Sequence, residues 1–548
     1  MQGNSMSGAT LSSPAPGGAI RPNLDARPHI AGIIVFCGLL VAGLLFTLYG
    51  LSADMDESGA GPLAIGAFVL LGVALLIALG FEFVNGFHDT ANAVATVIYT
   101  HSLPAQVAVV WSGALNLLGV LTSSGAVAFG IVSLLPVELI LQVGSNAGFA
   151  MIFALLIAAI VWNLGTWSLG IPASSSHTLI GSIIGVGIAN QLMAPSGQGT
   201  SGVDWGQAQS VGITLLVSPV FGFVLSAVLL LLMKQVVRDK RLYEAPDVSH
   251  PPPLWIRIML IGTCSLVSFF HGSNDGQKGM GLIMLILIGA LPTAYALNRA
   301  LPDNRTPAFI ETMQAAQDVF KAHAGTATVS AADAKARVTE AISSRSFNDP
   351  AVFAGAAELA SGIAAQVQQY GAIRKVPAAA VQNVRNDMYL ASETVRLMKK
   401  TGAFAAAGFT ADEQAMLGVF QKALDAGTKF IPLWVKVSVA IALGLGTMIG
   451  WKRIVVTVGE KIGKTHLSYG QGGAAELVAA ATIGAADLFG MPVSTTHVLS
   501  SGVAGTMAAN GSGLQWGTLR SIALAWVLTL PAAMLLSGSL YFVFRALL

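Results

Sequence analysis

The sequence predicts an all-α polytopic membrane protein made of two inverted repeats with broken or re-entrant helices, plus one soluble α-helical insert. Three observations lead to this prediction: the composition is apolar, the charges are concentrated in one stretch, and two pairs of motifs recur. Of the 548 residues, 54% are apolar and 10% are charged, and the mean hydropathy is +0.69. Because soluble domains carry about 25% charged residues, this composition excludes a soluble enzyme, a disordered protein and a nucleic-acid binder.

The first half of the chain is divided by its composition. Residues 1–30 are rich in Gly, Ser and Pro, and we interpret them as a disordered cytoplasmic tail. An apolar run within 31–62 predicts an extra N-terminal membrane helix, and 63–233 holds the first repeat. The basic stretch 234–257 predicts a cytoplasmic loop, since positive loops favour the inner side. With about 20 residues needed for each crossing, the apolar runs of the whole chain predict about 10–12 membrane segments.

The second half contains most of the polar residues. The second repeat begins at 258–297 and resumes at 431–548, and the stretch between them, 298–430, holds 14 Lys or Arg and 12 Asp or Glu. Apolar residues recur there at helical spacing, which predicts a soluble helical insert. If 254–297 crosses the membrane once, the insert lies outside. Two crossings would reverse its side.

Two motifs occur twice. Asn85–Ala93 aligns with His271–Gly279 at an offset of 186 residues, and Gly170–His177 aligns with Gly490–His497 at an offset of 320. The offsets differ by 134 residues, which is close to the length of the polar stretch. The chain therefore reads as a duplicated membrane unit with an insert in the second copy. Secondary transporters are often built this way, with sites near the bilayer midplane at broken helices.

The first motif carries an aspartate in each copy, Asp89 and Asp275, next to glycines that favour a helix break. A charge inside a membrane helix costs at least about 2.5–3.5 kcal/mol, so such residues are functional candidates. The carboxylates could hold a proton, a metal ion or another cation, whereas Asn92 and Asn274 could bind the oxygens of an anion. The alternative is a helix cap or a contact between helices.

The second motif places hydroxyl groups before a histidine that opens an apolar run. Hydroxyl and free N–H groups at a helix N-terminus form an anion site, although Ser and Thr also serve as simple N-caps. The anion-binding candidates are Ser174, Ser175, Ser176, Ser494, Thr495 and Thr496.

Other titratable residues add further candidates. Lys278 either binds an anion such as phosphate or neutralises Asp275. His177 and His497 are candidate proton carriers, with interior packing as the alternative. Glu476 lies in an apolar run and is a candidate for cation or proton coupling.

The motifs resemble a known family. Gly86–Asn92 and Gly272–Asp275 are similar to the duplicated Gly-x-Asn-Asp-x-x-Asn signature of the PiT family of inorganic phosphate transporters, and Pro172–His177 and Pro492–His497 are similar to its second duplicated motif. The resemblance is strongest to the bacterial Pit low-affinity permeases. It implies a multi-pass protein of the bacterial inner membrane, with the N-terminus in the cytoplasm according to the tail interpretation.

The resemblance also implies a substrate and its partners. They are inorganic phosphate, coupled to protons or Na⁺, with a divalent cation such as Mg²⁺ carried as a metal–phosphate complex, and membrane lipid around the protein. No resident cofactor is expected, and a homo-oligomer is left open. The family usually has Asn at the position of His88 and often at that of Lys278. These departures remove neutral oxygen ligands and favour proton over Na⁺ coupling.

Three other functions compete with a secondary phosphate transporter. A channel needs a continuous polar path, whereas the polar residues here cluster at two places. An intramembrane enzyme could use the aspartate pair. A sulfate permease of the same fold would differ only in its anion. The sequence contains no P-loop and no His-Glu-x-x-His motif, so an ATP-driven pump or a metalloprotease is not predicted.

Overall fold

The computed structural model describes residues 22–25, 29–58, 63–89, 91–135, 140, 145–194, 203–246 and 251–547. Within these ranges every regular element is a helix, and the β contact is an isolated bridge between Gly463 and Leu514. The predicted all-α class is confirmed. Most of the tail predicted to be disordered lies outside the described residues.

The helices before the insert follow one another with short connections. They are α1 (Ile30–Ser58), α2 (Ile65–Asp89), α3 (Ala91–Tyr99), α4 (Ala105–Thr122), α5 (Ala126–Val132), α6 (Asn146–Ser168), α7 (Ser175–Leu192), α8 (Trp205–Val236) and α9 (Leu254–Ala290). A short 3₁₀ turn, Lys240–Leu242, lies between α8 and α9.

The insert and the final part of the chain are also helical. The insert holds α10 (Thr306–Ala324), α11 (Ala331–Ser344), α12 (Pro350–Tyr370), α13 (Ala378–Thr401) and α14 (Ala411–Thr428). The membrane part resumes with α15 (Leu433–Thr447), α16 (Lys452–Glu460), α17 (Tyr469–Leu488), α18 (Thr495–Ala509) and α19 (Trp516–Leu547). Pro292–Tyr295 and Ala403–Ala406 are four-residue helices, and Asp303–Arg305 and Ile373–Lys375 are 3₁₀ turns.

Eight helices in the described part of the chain are long and apolar enough to cross a membrane: α1, α2 with α3, α4, α6, α8, α9, α12 and α19. Of these, α12 packs among the amphipathic helices of the insert, and its apolar residues form part of the hydrophobic core of the insert. A ninth candidate combines α14 and α15, which are bent by 76° at their junction. The predicted 10–12 segments also count α7, α17 and α18, whose residues are mostly buried.

The outer helices of the membrane part carry exposed apolar side chains. Leu216 of α8 and Val527 of α19 are each 71% exposed. Many other large apolar side chains of α8 and α19 are exposed as well, and contiguous exposed apolar surface marks a contact with a membrane or another protein. Together with the long apolar helices, this surface is that of a membrane protein.

Helix α9 is continuous over 37 residues and carries Asp275 in its interior. The predicted break at Asp275, with separate segments on each side, is therefore wrong. The glycines that suggested it serve close packing: a β-carbon at Gly272 would collide with the backbone of Asn116 in α4, and one at Gly276 would meet Val120. A helix of this length spans about 56 Å, enough for one tilted crossing.

The two ends of the bundle differ in charge and in what covers them. Asp54, at the end of α1, accepts a 2.7 Å hydrogen bond from Trp434 at the start of α15, beside the insert. The basic residues Lys452 and Arg257 lie at the opposite end, where Lys452 pairs with Asp25. The insert and the basic residues Lys452 and Arg257 thus lie at opposite ends of the bundle. Which end faces the cytoplasm stays a prediction of the positive-inside rule.

The insert has its own hydrophobic core, which includes Phe320, Phe353 and Leu417. It is tied to the membrane bundle by Asp204, which caps α8. Asp204 accepts hydrogen bonds from Arg345 at 2.6 Å and from Arg396 at 3.1 Å. Burial opposes ionisation of Asp204, but these two arginines, Lys400 and the backbone N–H of Gln207 together hold its pKa below the ordinary value. The insert is thereby fixed over one end of the bundle.

Candidate functional site

The second motif builds the same turn twice. Helix α6 is followed by Gly170 at φ +67°, and α17 is followed by Gly490 at φ +64°. Residues with a β-carbon are strained at such angles, so glycine permits the reversal. The next helix then starts a few residues later with a serine N-cap, Ser174 or Ser494. Each serine oxygen accepts the backbone N–H three residues on, at 3.2 Å.

The two new helices, α7 and α18, begin next to each other. The rings of His177 and His497 have their centroids 4.4 Å apart, and His497 also stacks on Trp526 at 4.0 Å. Ser176 donates a 3.0 Å hydrogen bond to the carbonyl of Val493, across the two turns. The N-terminal ends of two helix dipoles therefore converge, which is a favourable place for an anion.

Asp89 lies where these two ends meet. Its carboxylate accepts hydrogen bonds from Ser175 of α7 at 2.5 Å and from Thr496 of α18 at 2.9 Å. The Nδ1 atom of His88 lies 2.9 Å from the same carboxylate, and the other ring nitrogen lies 3.1 Å from Thr166. One aspartate thus joins the hydroxyl groups of both motif copies.

Asp275 comes from the interior of α9 and lies beside Asp89. Lys278, one turn later, forms an ion pair with it at 2.6 Å, and Ser175 lies 3.4 Å from its other oxygen. The Lys278 ammonium also donates to Ser176. Lys278 therefore pairs with Asp275, as one of the two sequence interpretations expected, and the other interpretation, that it binds an anion, stays a prediction.

The two asparagines of the first motif are not equivalent. Asn92 donates to Thr496 at 3.2 Å and lies 3.4 Å from Ser500, both in the opposite repeat. Asn274 instead holds the backbone of the second turn, because it donates to the carbonyl of Met491 at 3.2 Å. Asn92 is thus within the cluster, whereas Asn274 shapes its wall.

Three residues form a group that could hold a cation. One ligand atom each of Asp89, His271 and Asp275 lie within 4.8 Å of one another. Carboxylate oxygen suits Mg²⁺, and an added imidazole suits transition metals. His271 was not among the sequence candidates, although its position four residues before Asp275 places both on one helix face. Its Nδ1 atom lies 2.7 Å from the Asn116 side chain.

Glu476 is buried, but it belongs to a different place. It accepts a 2.5 Å hydrogen bond from Thr263, which lies three turns before Asp275 on α9. Its carboxylate also lies against Thr96 of α3. The structure therefore does not bring Glu476 together with the aspartate cluster.

The cluster is closed to water in this conformation. None of the candidate ligands in the cluster, including Asp89, Asn92 and His497, is more than 5% exposed. With neutral histidines, two carboxylates and one ammonium leave a net charge of −1. An anion entering this enclosure needs a compensating cation or proton, because like charges at short distance repel strongly in a buried site.

Comparisons with known proteins show a family and several similar proteins. The sequence profile of the phosphate transporter family matches residues 85–537. The chain is 42% identical over 491 residues to the low-affinity inorganic phosphate transporter PitA of Escherichia coli K12, covering 86% of this chain and 96% of the relative. It is 39% identical to PitB of the same organism over 500 residues, covering 88% of this chain and 98% of the relative. A solved structure, described as the sodium-dependent phosphate transporter, has 19% identity and a TM-score of 0.47, with 88% of this chain and all of that chain covered.

Proposed function

Because this chain belongs to the phosphate transporter family, we propose that it imports inorganic phosphate across the bacterial inner membrane as a proton symporter. The transported species in this proposal is a complex of phosphate with a divalent metal ion such as Mg²⁺. The observation that carries the proposal is the closed cluster in which Asp89 and Asp275 meet Lys278 and the ends of α7 and α18.

The donors of the cluster match a tetrahedral oxyanion. Lys278 provides a point charge, and Ser175, Ser176 and Thr496 provide hydroxyl groups from two helix N-termini. In this structure Ser175 and Thr496 donate to the Asp89 carboxylate, and Ser176 donates to the carbonyl of Val493. A bound phosphate would accept the same hydrogen bonds, while Asn92 would hold Thr496 in place.

The charge of the cluster supports a co-transported cation. A bound phosphate with one or two negative charges would change the net charge of the cluster from −1 to −2 or −3. A divalent ion at Asp89, His271 and Asp275 would offset this charge, and a proton on one carboxylate would offset part of it. The metal ion in this proposal is cargo and enters and leaves with the phosphate.

Two contacts favour protons over Na⁺. His88 lies 2.9 Å from Asp89, and Lys278 lies 2.6 Å from Asp275. Each aspartate thus has a nitrogen group where a neutral oxygen ligand would have to sit for Na⁺. Coupling to Na⁺ is the alternative.

Purified protein in proteoliposomes tests these points. Phosphate uptake should follow an inward proton gradient, should increase with Mg²⁺, and should be nearly indifferent to Na⁺. A strict Na⁺ requirement at constant pH would show that the coupling ion is Na⁺ and not the proton. Complete inhibition of phosphate uptake by competing sulfate would indicate a sulfate permease. Uptake without saturation would indicate a channel.

A further inference from the structure

A second polar site lies between the insert and the membrane bundle. A half-open cavity of about 490 Å³ is lined by the start of α5, the second half of α9, and helices α13 and α14 of the insert. We call this cavity the vestibule. It holds Arg385, Tyr389 and Arg396 on the insert side and Gly281 and Ser124 on the bundle side.

The floor of the vestibule shares helix α9 with the aspartate cluster. Gly281 follows Asp275 by six residues of continuous helix, which corresponds to about 9 Å. The N–H of Val127 in α5 donates to Gln277 at 3.0 Å, two residues from Asp275. The bundle side of the vestibule is therefore about 9 Å along α9 from Asp275.

Most charges of the vestibule are matched. Arg396 pairs with Glu393 and with Asp204. Lys429 pairs with Asp425 at 2.8 Å. These ion pairs leave little net charge on that part of the wall.

Arg385 is the exception. It is only 6% exposed, and among the described residues it makes no ion pair. One terminal nitrogen donates to the carbonyl of Ile140 at 3.3 Å and to Asn386 at 3.1 Å, and the guanidinium lies 5.1 Å from the Tyr389 ring centre. The Nε atom is buried and has no hydrogen-bond partner in the described part of the chain.

An unmatched buried guanidinium is unfavourable. Removing such an ion from water costs several kcal/mol unless a counter-ion and hydrogen bonds replace the water. Burial accordingly lowers the pKa of Arg385 from its ordinary value, and Tyr389 opposes this only in part. A planar guanidinium with free N–H donors binds carboxylate or phosphate oxygens in pairs.

We propose that the vestibule binds a phosphate oxyanion at Arg385 before the anion reaches the aspartate cluster. The site is supported by three observations together: the cavity, the buried Arg385 without an ion pair among the described residues, and the position of Asp275 on the helix that lines the cavity. The inference rests on the proposed function, since it takes the bound anion to be the transported one. The insert thus supplies a binding step to a transporter whose central cluster lies in the membrane.

The test compares Arg385→Gln with Arg374→Gln, which makes the same charge change at an exposed surface of the insert. Phosphate uptake is measured in proteoliposomes at a fixed proton gradient. Arg385→Gln should raise the KM for phosphate at least about fivefold with little change in kcat, Arg385→Lys should give a smaller rise, and Arg374→Gln should have no effect. An unchanged KM in a folded Arg385→Gln protein would overturn the proposal.

A binding measurement separates this inference from the proposed function. Calorimetry with inorganic phosphate is done on purified Asp275→Asn protein, in which the central cluster is impaired. Residual binding that disappears on adding Arg385→Gln or weakens on adding Arg385→Lys supports the vestibule site. Residual binding that both variants leave unchanged refutes it. If the unaltered protein transports no phosphate at all, the proposed function fails instead, whatever the calorimetry shows. Should Arg385→Gln not fold, the Arg385→Lys comparison decides, because it keeps the charge.

Discussion

A carboxylate oxygen of Asp89 and one of Asp275 lie within 4.8 Å of each other, although the residues are 186 positions apart in the chain. One comes from the end of α2 and the other from the interior of α9. Two acids at this distance cannot both be ionised and unmatched, so the cluster needs Lys278, a proton or a metal ion. This dependence on an added positive charge is the basis of the transport predictions below.

Replacing either aspartate by asparagine should remove the need for an added positive charge, and should also remove most of the transport. We expect Asp89→Asn and Asp275→Asn each to lower phosphate uptake by more than about tenfold, which corresponds to about 1.4 kcal/mol. Membrane insertion should hardly change, since a neutral amide is easier to bury. The control is Asp318→Asn, at an exposed position of α10. Near-normal uptake in both variants at matched expression would contradict a transport role for the cluster.

Lys278 can be tested by a double-mutant cycle. Lys278→Ala alone should reduce uptake and protein yield, because it leaves Asp275 buried without its partner at 2.6 Å. The double variant Asp275→Asn/Lys278→Ala should recover the yield and transport no worse than Asp275→Asn. A further loss of transport in the double variant would instead indicate direct binding of phosphate by Lys278.

The side on which the insert lies can be determined by labelling. In a variant with Cys37 and Cys264 replaced, we introduce Ser344→Cys in the insert or Thr465→Cys at the opposite end, both exposed. The positive-inside rule predicts that an impermeant maleimide labels position 344 in intact cells and position 465 only after lysis. The reverse pattern would place the insert in the cytoplasm.

Asp204 should contribute to stability in a pH-dependent way. Its folded-state pKa is lowered, so its contribution is present above the unfolded-state pKa of about 3.9 and is lost as the pH falls through the folded-state value. Asp204→Asn should destabilise docking of the insert by about 1–3 kcal/mol at pH 7. Thermal melts from pH 7 to well below pH 3.9, followed by tryptophan fluorescence, should show that this difference shrinks only as the pH falls toward the lowered folded-state pKa of Asp204. A constant difference would argue against an ionised Asp204.

Glu476 lies away from the aspartates, and this position allows a separate test of coupling. If it carries the proton, Glu476→Gln should keep phosphate exchange across the membrane and lose accumulation driven by a proton gradient. Efflux exchange and gradient-driven uptake, measured on the same proteoliposomes, separate the two. Equal loss of both activities would point to a structural role beside Thr263.

The class of the protein could be predicted from sequence because its evidence is local. Long apolar runs must span the bilayer as helices, and the charged stretch 298–430 cannot be buried in lipid. The repeated turns could also be predicted from sequence, since Gly170 and Gly490 are followed by similar residues and adopt nearly the same φ angle. The inverted orientation of the two repeats stays a prediction.

The contacts between distant segments were decided only by the tertiary structure. Glycines favour either a helix break or close packing, and only the approach of Asn116 to Gly272 shows that α9 is continuous. The pairing of Lys278 with Ser176 likewise depends on how two helices cross. Arg385 was not among the sequence candidates, and only the fold shows that it is buried and lines a cavity. Sequence alone predicted that long apolar segments enter the membrane, because transfer free energy is a property of each segment, whereas packing across the chain placed α12 in the insert and decided which charges face one another.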